Sequence, residues 1–181
     1  MTLQHYDTLF LDRDGVLNER IVGGYVTRIE EFVVLPGVLD AMKLFAERFN
    51  HIFIVTNQQG IGKGLMSESD LENVHNHFLS QVASAGGRID RIYHCSALRN
   101  AHSFMRKPSI GMAVQARRDF PQVRLRQSIM VGDAQTDMLF GRRAGMKTVL
   151  VGPESEIARQ YPHLVDYCYP TLLDFANTLV Q

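Results

Sequence analysis

Acidic side chains directly follow two short apolar runs of this 181-residue chain. Asp12 and Asp14 come after the run 8–11, and Asp133 comes after the run 128–131. The carboxyl ends of parallel strands meet at one edge of a sheet, so we expect these three carboxylates to converge. Crowded carboxylates raise each other's pKa values unless a cation compensates them. An all-oxygen set of ligands suits Mg²⁺, whereas zinc prefers cysteine and histidine, and the sequence therefore predicts a magnesium site.

Side chains suited to a phosphate group accompany the predicted metal site. Thr56 has a hydroxyl, Asn57 has an amide, and Arg106 and Lys107 can neutralise phosphoryl oxygens. An ionised aspartate beside Mg²⁺ can attack phosphorus and form an aspartyl-phosphate. A second carboxylate two residues away can carry the proton of the leaving group. These residues predict phosphoryl transfer through a covalent intermediate.

The elements that must position these residues follow from the hydrophobic pattern. Near-continuous apolar runs predict five buried parallel strands, at 8–11, 51–55, 89–94, 128–131 and 147–151. Helical periodicity predicts helices between them, one over 38–49, one that begins at a Ser67 and Asp70 capping box, and others over 110–120, 136–144, 154–161 and 171–179. We expect one domain over residues 1–181, a Rossmann-like α/β fold with an open parallel sheet and helices on both faces.

The segment 20–35 interrupts this alternation. Gly23 and Gly24 lie between apolar stretches, a pattern that predicts a β-hairpin. The hairpin would overhang the carboxyl end of the first strand as a flap. No other insertion is long enough for a cap domain, so we expect an open site that only loops cover.

Composition excludes several classes of partner. The chain has 19 basic and 19 acidic side chains, and this zero net charge argues against binding to nucleic acid or an anionic membrane. Its two cysteines, Cys95 and Cys168, form no CxxC pair, which indicates a reducing compartment. The first residues have no pattern of a signal peptide. We expect a cytoplasmic, monomeric protein whose partner is a small phosphorylated metabolite.

Four short motifs in order resemble those of the haloacid dehalogenase superfamily of phosphatases. They are Asp12-x-Asp14-Gly15-Val16, Thr56, Lys107 before a helix, and Gly132-Asp133-x-x-x-Asp137. The finer spelling of 11–18, 24–26, 56–61 and 106–112 resembles one branch, which contains the D-glycero-D-manno-heptose 1,7-bisphosphate 7-phosphatases and the histidinol-phosphate phosphatases. The resemblance runs from about residue 8 to residue 152, and four ordered motifs are a specific signal.

The resemblance implies a role for each acidic residue of the motifs. Asp12 would be the nucleophile and a ligand of Mg²⁺. Asp14 would be the general acid and base, with its backbone carbonyl on the metal, and Asp133 would be the third protein ligand. Asp137 would orient Lys107.

The same resemblance implies the groups that hold the substrate. Thr56, Asn57 and Lys107 would bind the phosphoryl group, and Arg106 would assist the binding of substrate or phosphate. Further substrate contacts are expected from Asn18, Gln58 and Lys63. An isolated aspartate after a strand is usually only a helix cap, but the ordered set favours function. His75 and His77 are read as packing residues without a role.

The chain departs from this branch at its zinc-binding loop. Members usually have Cys-x-His and then Cys-x-Cys before the arginine, whereas this chain has Cys95-Ser96-Ala97 and Ser103-Phe104-Met105. We therefore expect no bound zinc, and we expect the loop to close by packing, with Leu98 and Phe104 turned inward. The departure leaves the substrate open. Heptose bisphosphate is preferred, histidinol phosphate or another small metabolite is the alternative, and a catalytically idle binding protein is the remote one.

Overall fold

Six parallel strands form one sheet in the computed structural model, which describes residues 3–153 and 156–179. The strands are β1 Thr8–Leu11, β2 His51–Asn57, β3 Arg91–Cys95, β4 Ser128–Gly132, β5 Lys147–Val151 and β6 Tyr167–Tyr169. Their order across the sheet is β3-β2-β1-β4-β5-β6. The five predicted strands are confirmed. The sixth was not predicted because it has only three residues, none of them fully buried.

Helices connect the strands in sequence. They are α1 Val38–Arg48, α2 Gln59–Gly62, α3 Glu68–Ser84, α4 Gly111–Asp119, α5 Gln135–Ala144, α6 Glu156–Gln160 and α7 Leu172–Asn177. The predicted capping box at the start of α3 is present, because the Ser67 hydroxyl accepts from the Asp70 amide and the Asp70 carboxylate accepts from Ser67. The predicted helix 154–161 is confirmed only over α6, since its first two residues lie outside the described ranges.

The sheet is covered on both faces. Leu9 and Leu11 of β1 point into a core that includes side chains of α1, α3 and α7. Phe10 points the other way, into a core that includes side chains of α4 and α5. All three side chains are completely buried, as expected for a parallel sheet between two helical layers.

The segment 20–35 is not a β-hairpin, and that prediction is wrong. Only its ends pair, through a hydrogen bond from Glu19 N to Val33 O and one from Leu35 N to Leu17 O. Between these ends lie turns and a short 3₁₀ helix, Ile29–Glu31. The Glu31 carboxylate accepts from the backbone and hydroxyl of Thr27, and such local bonds compete with a strand ladder. We call residues 20–35 the flap loop.

The topology fixes where a ligand can bind. The chain leaves β1 toward β2 on one side, whereas β4 pairs with β1 on the other side, so the strand order reverses at β1. Ligands of open α/β sheets bind at the carboxyl end of such a switch point. Within the described ranges, no cap domain is inserted between the elements, and no helix is long and apolar enough to cross a membrane.

Candidate active site

A cavity of about 640 Å³ opens at the carboxyl ends of β1 and β2. Asp12, Thr56 and Lys107 lie at its floor, and the flap loop forms part of its wall. Its volume is in the range typical of small-molecule sites. Asp12, Thr56 and Lys107, which the sequence predicted from separate motifs, therefore face a single space.

Asp12 is a buried carboxylate held on one oxygen. The backbone N–H of Arg13 donates to Asp12 Oδ1 at 2.7 Å, and Lys107 Nζ lies 2.7 Å from the same oxygen. Burial raises the pKa of Asp12 to about 7, with further increases from Asp137 and Asp133 and a decrease from Lys107. A second cation would therefore favour the ionised form that a nucleophile requires.

Lys107 is fixed between two carboxylates. Its Nζ is 2.7 Å from Asp137 Oδ1 as well as from Asp12, and all three side chains are buried. Burial would lower the pKa of Lys107, but the two carboxylates raise it, so the ammonium is kept charged. The Ala134 amide donates to the other oxygen of Asp137. A Cβ at Gly132 would overlap the Asp137 side chain, which explains the glycine there.

Asp133 is not part of the cavity lining, but its carboxylate contacts Arg20 of the flap loop, which does line the cavity. Arg20 Nη2 donates to Asp133 Oδ1 at 2.7 Å and to the backbone oxygen of Asp14 at 2.8 Å, and it lies 3.9 Å from Asp12 Oδ2. Burial raises the pKa of Asp133 to about 6, although Arg20 opposes the rise. Gly15 has a φ of +93°, and a Cβ there would overlap the Asp133 carboxylate.

This arrangement fits a divalent cation. The guanidinium of Arg20 is a positive group that already contacts three oxygens, those of Asp12, Asp133 and the Asp14 backbone. The carboxylates of Asp12, Asp133 and Asp137 can also bring one oxygen each to within 4.8 Å of one another. Asp137 is occupied by Lys107 and Ala134, so the first set suits Mg²⁺ better.

Asp14 is held from several sides at once. Arg13 donates to both of its oxygens, at 2.9 Å and 3.1 Å, and Gln58 Nε2 donates at 2.8 Å. Burial would raise the pKa of Asp14, but Arg13 and the hydrogen bonds lower it below its usual value. Asn18 also donates to Asp14, is completely buried, and does not line the cavity. The structure therefore contradicts the predicted substrate contact of Asn18, whose side chain supports Asp14 instead.

The predicted phosphate ligands differ in what their side chains can offer. Gln58 Nε2 donates to Thr56 Oγ1 at 2.8 Å, so the Thr56 hydroxyl accepts there and keeps its own hydrogen to donate. The Asn57 side chain bonds both backbone groups of Lys107, at 3.0 Å and 3.1 Å. The Asn57 side chain therefore positions Lys107, and the predicted phosphate contact of Asn57 stays a prediction.

The mouth of the cavity is cationic. Lys63 and Arg106, which are predicted substrate contacts, line it, and Arg99 and His102 line it as well. Lys63 Nζ lies 5.2 Å from the ring centre of Tyr25, and Arg106 donates to the backbone oxygen of Ala97. Burial lowers the pKa of Arg106, and Arg99 lowers it further, which shows that these two cations are close. In the described part of the chain, the acidic residues of the cavity lie only at its floor.

Comparison with known proteins identifies relatives of this chain. A protein-family model described as HAD-hyrolase-like matches residues 104–175. A D-glycero-alpha-D-manno-heptose-1,7-bisphosphate 7-phosphatase of Mycobacterium bovis is 41% identical over 134 residues, which cover 74% of this chain and 70% of the relative. The enzyme of the same name from Campylobacter jejuni is 36% identical over 160 residues, covering 86% and 90%.

The chain belongs to the haloacid dehalogenase-like family of phosphatases. Among solved structures, the D,D-heptose 1,7-bisphosphate phosphatase from B. bronchiseptica, complexed with magnesium and phosphate, has a TM-score of 0.84 and 28% identity. That comparison covers 97% of this chain and 98% of the other. The predicted family and open parallel sheet are both confirmed.

Arg20, Arg99 and His102 line the cavity and Arg13 bonds Asp14, and none of these side chains was assigned a role from the sequence. The contacts of Arg13 with His75 and of Arg20 with Asp133 join segments far apart in the chain, which no periodic pattern reveals. The available signal was position, because Arg13 and Arg20 lie next to Asp12 and Asp14 or a few residues after them, and Arg99 lies between Cys95 and Arg106.

The loop 96–105 is closed by ordinary contacts. Cys95 Sγ lies 3.8 Å from Ser103 Oγ, and Ser103 Oγ also accepts from the Met105 amide. Leu98 is partly buried as expected, but Phe104 is 58% exposed, so the prediction that it turns inward is wrong. The Phe104 carbonyl accepts from the Gly111 amide instead, which turns its backbone toward α4. The expected lack of zinc stays a prediction.

Proposed function

We propose that the chain removes one phosphate from a small sugar bisphosphate, with D-glycero-D-manno-heptose 1,7-bisphosphate and its 7-phosphate as the preferred substrate and site. The observation that carries the proposal is the polarity of the cavity. A floor built around Asp12 and Lys107 lies opposite a mouth lined by cations. A molecule with phosphates at both ends matches both regions.

The floor residues supply the first chemical step. Asp12 attacks phosphorus, a bond forms between its carboxylate oxygen and phosphorus, and the bond from phosphorus to the sugar oxygen breaks. Lys107 and the Thr56 hydroxyl hold the phosphoryl oxygens as negative charge shifts toward the leaving group. Asp14 gives a proton to the leaving sugar oxygen. Asp14 is ionised in the free protein, so this proton comes from the bound phosphate monoester or from water.

The second step returns the protein to its starting form. Water attacks the aspartyl-phosphate, a bond forms between the water oxygen and phosphorus, and the bond from phosphorus to the Asp12 carboxylate breaks. Asp14 takes one proton of that water and passes it to the departing inorganic phosphate or to solvent, so that Asp14 is ionised again. Mg²⁺ bound by Asp12, Asp133 and the Asp14 backbone oxygen would neutralise charge on the transferring phosphoryl group. Asp137 keeps Lys107 in place throughout.

Charge at the mouth separates the preferred substrate from the alternative. Histidinol phosphate has an ammonium group where a sugar bisphosphate has its second phosphate. Lys63, Arg99 and Arg106 would repel the ammonium and attract the phosphate. A tenfold preference in kcat/KM needs about 1.4 kcal/mol, which these three cations can provide together at about 0.5 kcal/mol each.

Phosphate release from a panel of esters tests the proposal. We expect heptose 1,7-bisphosphate to exceed histidinol phosphate at least tenfold in kcat/KM, with loss of the 7-phosphate alone in the phosphorus NMR spectrum. Activity should disappear with EDTA and return with Mg²⁺. Equal rates for both substrates would contradict the role of the mouth, and metal-independent turnover would contradict the role of the floor.

Two further expectations concern the whole protein. We propose a cytoplasmic location, supported by the free thiols of Cys95 and Cys168. A monomeric state stays a prediction that light scattering of the purified protein can measure.

A further inference from the structure

A buried guanidinium lies directly behind the proposed proton carrier. Arg13 is only 1% exposed, although a charged side chain is rarely buried so completely without close partners. Its Nε and Nη2 both donate to Asp14 Oδ1, and Nη2 also reaches Asp14 Oδ2. This two-atom fork fixes the orientation of the Asp14 carboxylate as well as its position.

Arg13 is itself held by residues that do not line the cavity. Its Nη1 lies 3.1 Å from Nε2 of His75 on α3, and its guanidinium carbon lies 5.7 Å from the centre of the Phe32 ring. A guanidinium can only donate, so His75 Nε2 must be the unprotonated acceptor of this bond. Burial and the charge of Arg13 together lower the pKa of His75 to about 3, so this neutral form persists near neutral pH.

Gln58 completes the support on the cavity side. Its Oε1 accepts from Arg13, while its Nε2 donates both to Asp14 and to the Thr56 hydroxyl. The Gln58 backbone amide donates to the carbonyl of Cys95 at the end of β3, which fixes the base of this side chain. The proposed phosphate ligand and the proposed proton carrier are therefore joined by one side chain.

We propose that Arg13 and His75 are positioning residues that keep the Asp14 carboxylate aligned with the leaving group through a chain of contacts from α3. The inference rests on the proposed role of Asp14 as the group that protonates the leaving oxygen. His75 contributes at a distance, because it touches Arg13 and is absent from the lining of the cavity.

The dependence of kcat/KM on the leaving group isolates this role. Phenyl phosphate needs a proton on its leaving oxygen, whereas p-nitrophenyl phosphate has a stable leaving anion. We expect His75→Phe to lower kcat/KM for phenyl phosphate at least tenfold more than for p-nitrophenyl phosphate. His75→Gln retains a hydrogen-bond acceptor and should restore most of the loss. A purely structural role would lower both values by the same factor.

His77→Phe is the matched control. His77 lies on the same helix two residues further on and contacts Gln81, so its replacement should leave both values unchanged. If His75→Phe does not fold, Arg13→Lys provides the same comparison, because a lysine keeps the charge but loses the fork. The melting temperature of each variant shows that the rates are those of folded protein.

Asp14→Asn separates the two levels of the argument. A steep leaving-group dependence in Asp14→Asn and in His75→Phe supports the inference. A steep dependence in Asp14→Asn but equal losses, or none, in the His75 and Arg13 variants overturns the inference and leaves the proposed function standing. No added dependence in Asp14→Asn overturns the proposed role of Asp14 and this inference together.

Discussion

Replacement of Arg20 by glutamine should tighten the binding of Mg²⁺ about five- to tenfold, since it removes about 1 to 1.5 kcal/mol of competition. Arg20 contacts the oxygens of Asp133, Asp12 and the Asp14 backbone, which are the oxygens that we propose for the metal. The guanidinium and the metal ion cannot occupy these positions together. Mg²⁺ must therefore displace Arg20, and the free energy of the Arg20 contacts is subtracted from that of metal binding.

The magnitude follows from the strength and exposure of these contacts. A hydrogen bond to a charged partner contributes about 1.5 to 3 kcal/mol. The Arg20 side chain is 46% exposed, and solvent screening of such a pair reduces its net contribution. We therefore assign about 1 to 1.5 kcal/mol to the bond between Arg20 and Asp133 together with the bonds to the Asp14 carbonyl, which gives the five- to tenfold change in Kd.

Titration calorimetry of EDTA-treated protein with MgCl₂ measures this Kd directly. Lys63→Gln is the matched control, because it removes a cation of the same cavity that contacts Tyr25 and does not contact the carboxylates. Without metal, the free energy of unfolding of Arg20→Gln should be about 1 kcal/mol lower than that of the parent, and this difference should vanish at saturating Mg²⁺. Unchanged or weaker Mg²⁺ binding by Arg20→Gln, or equal tightening by Lys63→Gln, would refute the competition.

Three further outcomes are expected. Asp12→Asn should abolish turnover with little change in melting temperature, and hydroxylamine trapping should detect the aspartyl-phosphate only in the parent protein. His75 has a folded-state pKa of about 3 against 6.5 when unfolded, so the unfolded chain binds the extra proton and stability falls as pH drops below 6.5. Between pH 7 and pH 5 the free energy of unfolding of the parent should therefore fall by on the order of 2 kcal/mol, and His75→Gln should not show this loss. Urea unfolding at both pH values measures the difference. Elemental analysis should find no stoichiometric zinc, because the segments 95–97 and 103–105 contain one cysteine and no histidine where a structural zinc site needs four ligands, and one zinc per chain would contradict this.

Hydrophobic pattern predicted most of the scaffold because buried parallel strands leave an unambiguous signal. Strands such as β1 and β4 are buried along their whole length and mostly apolar, and the carboxyl ends of parallel strands share one edge. The approach of Asp12 to Asp133 follows from that geometry alone. β6 lacks the signal because it is short and partly exposed. The hairpin prediction for the flap loop was wrong because the apolar stretches on either side of Gly23 and Gly24 do not pair with each other as strands.

Side-chain networks were predicted less well, because they depend on where single polar groups meet. His75 and Arg13 are 62 residues apart, and Arg20 and Asp133 are 113 apart, so no local spacing reports either contact. Asn18 belongs to the aspartate motif, but the sequence could not show that its side chain turns into the protein and away from the cavity.

Two arginines bond Asp14, one at its carboxylate and one at its backbone oxygen, and the two arginines differ in burial. Arg13 bonds the carboxylate, is 1% exposed, and has His75 and Gln58 as further partners, so its removal would leave buried polar groups unpaired. Arg20 bonds the backbone oxygen, is 46% exposed, and regains water when it leaves. The same guanidinium chemistry therefore gives a fixed support in one place and an exchangeable cation in the other. A metal ion can enter on the Arg20 side without disturbing the orientation that Arg13 imposes on Asp14.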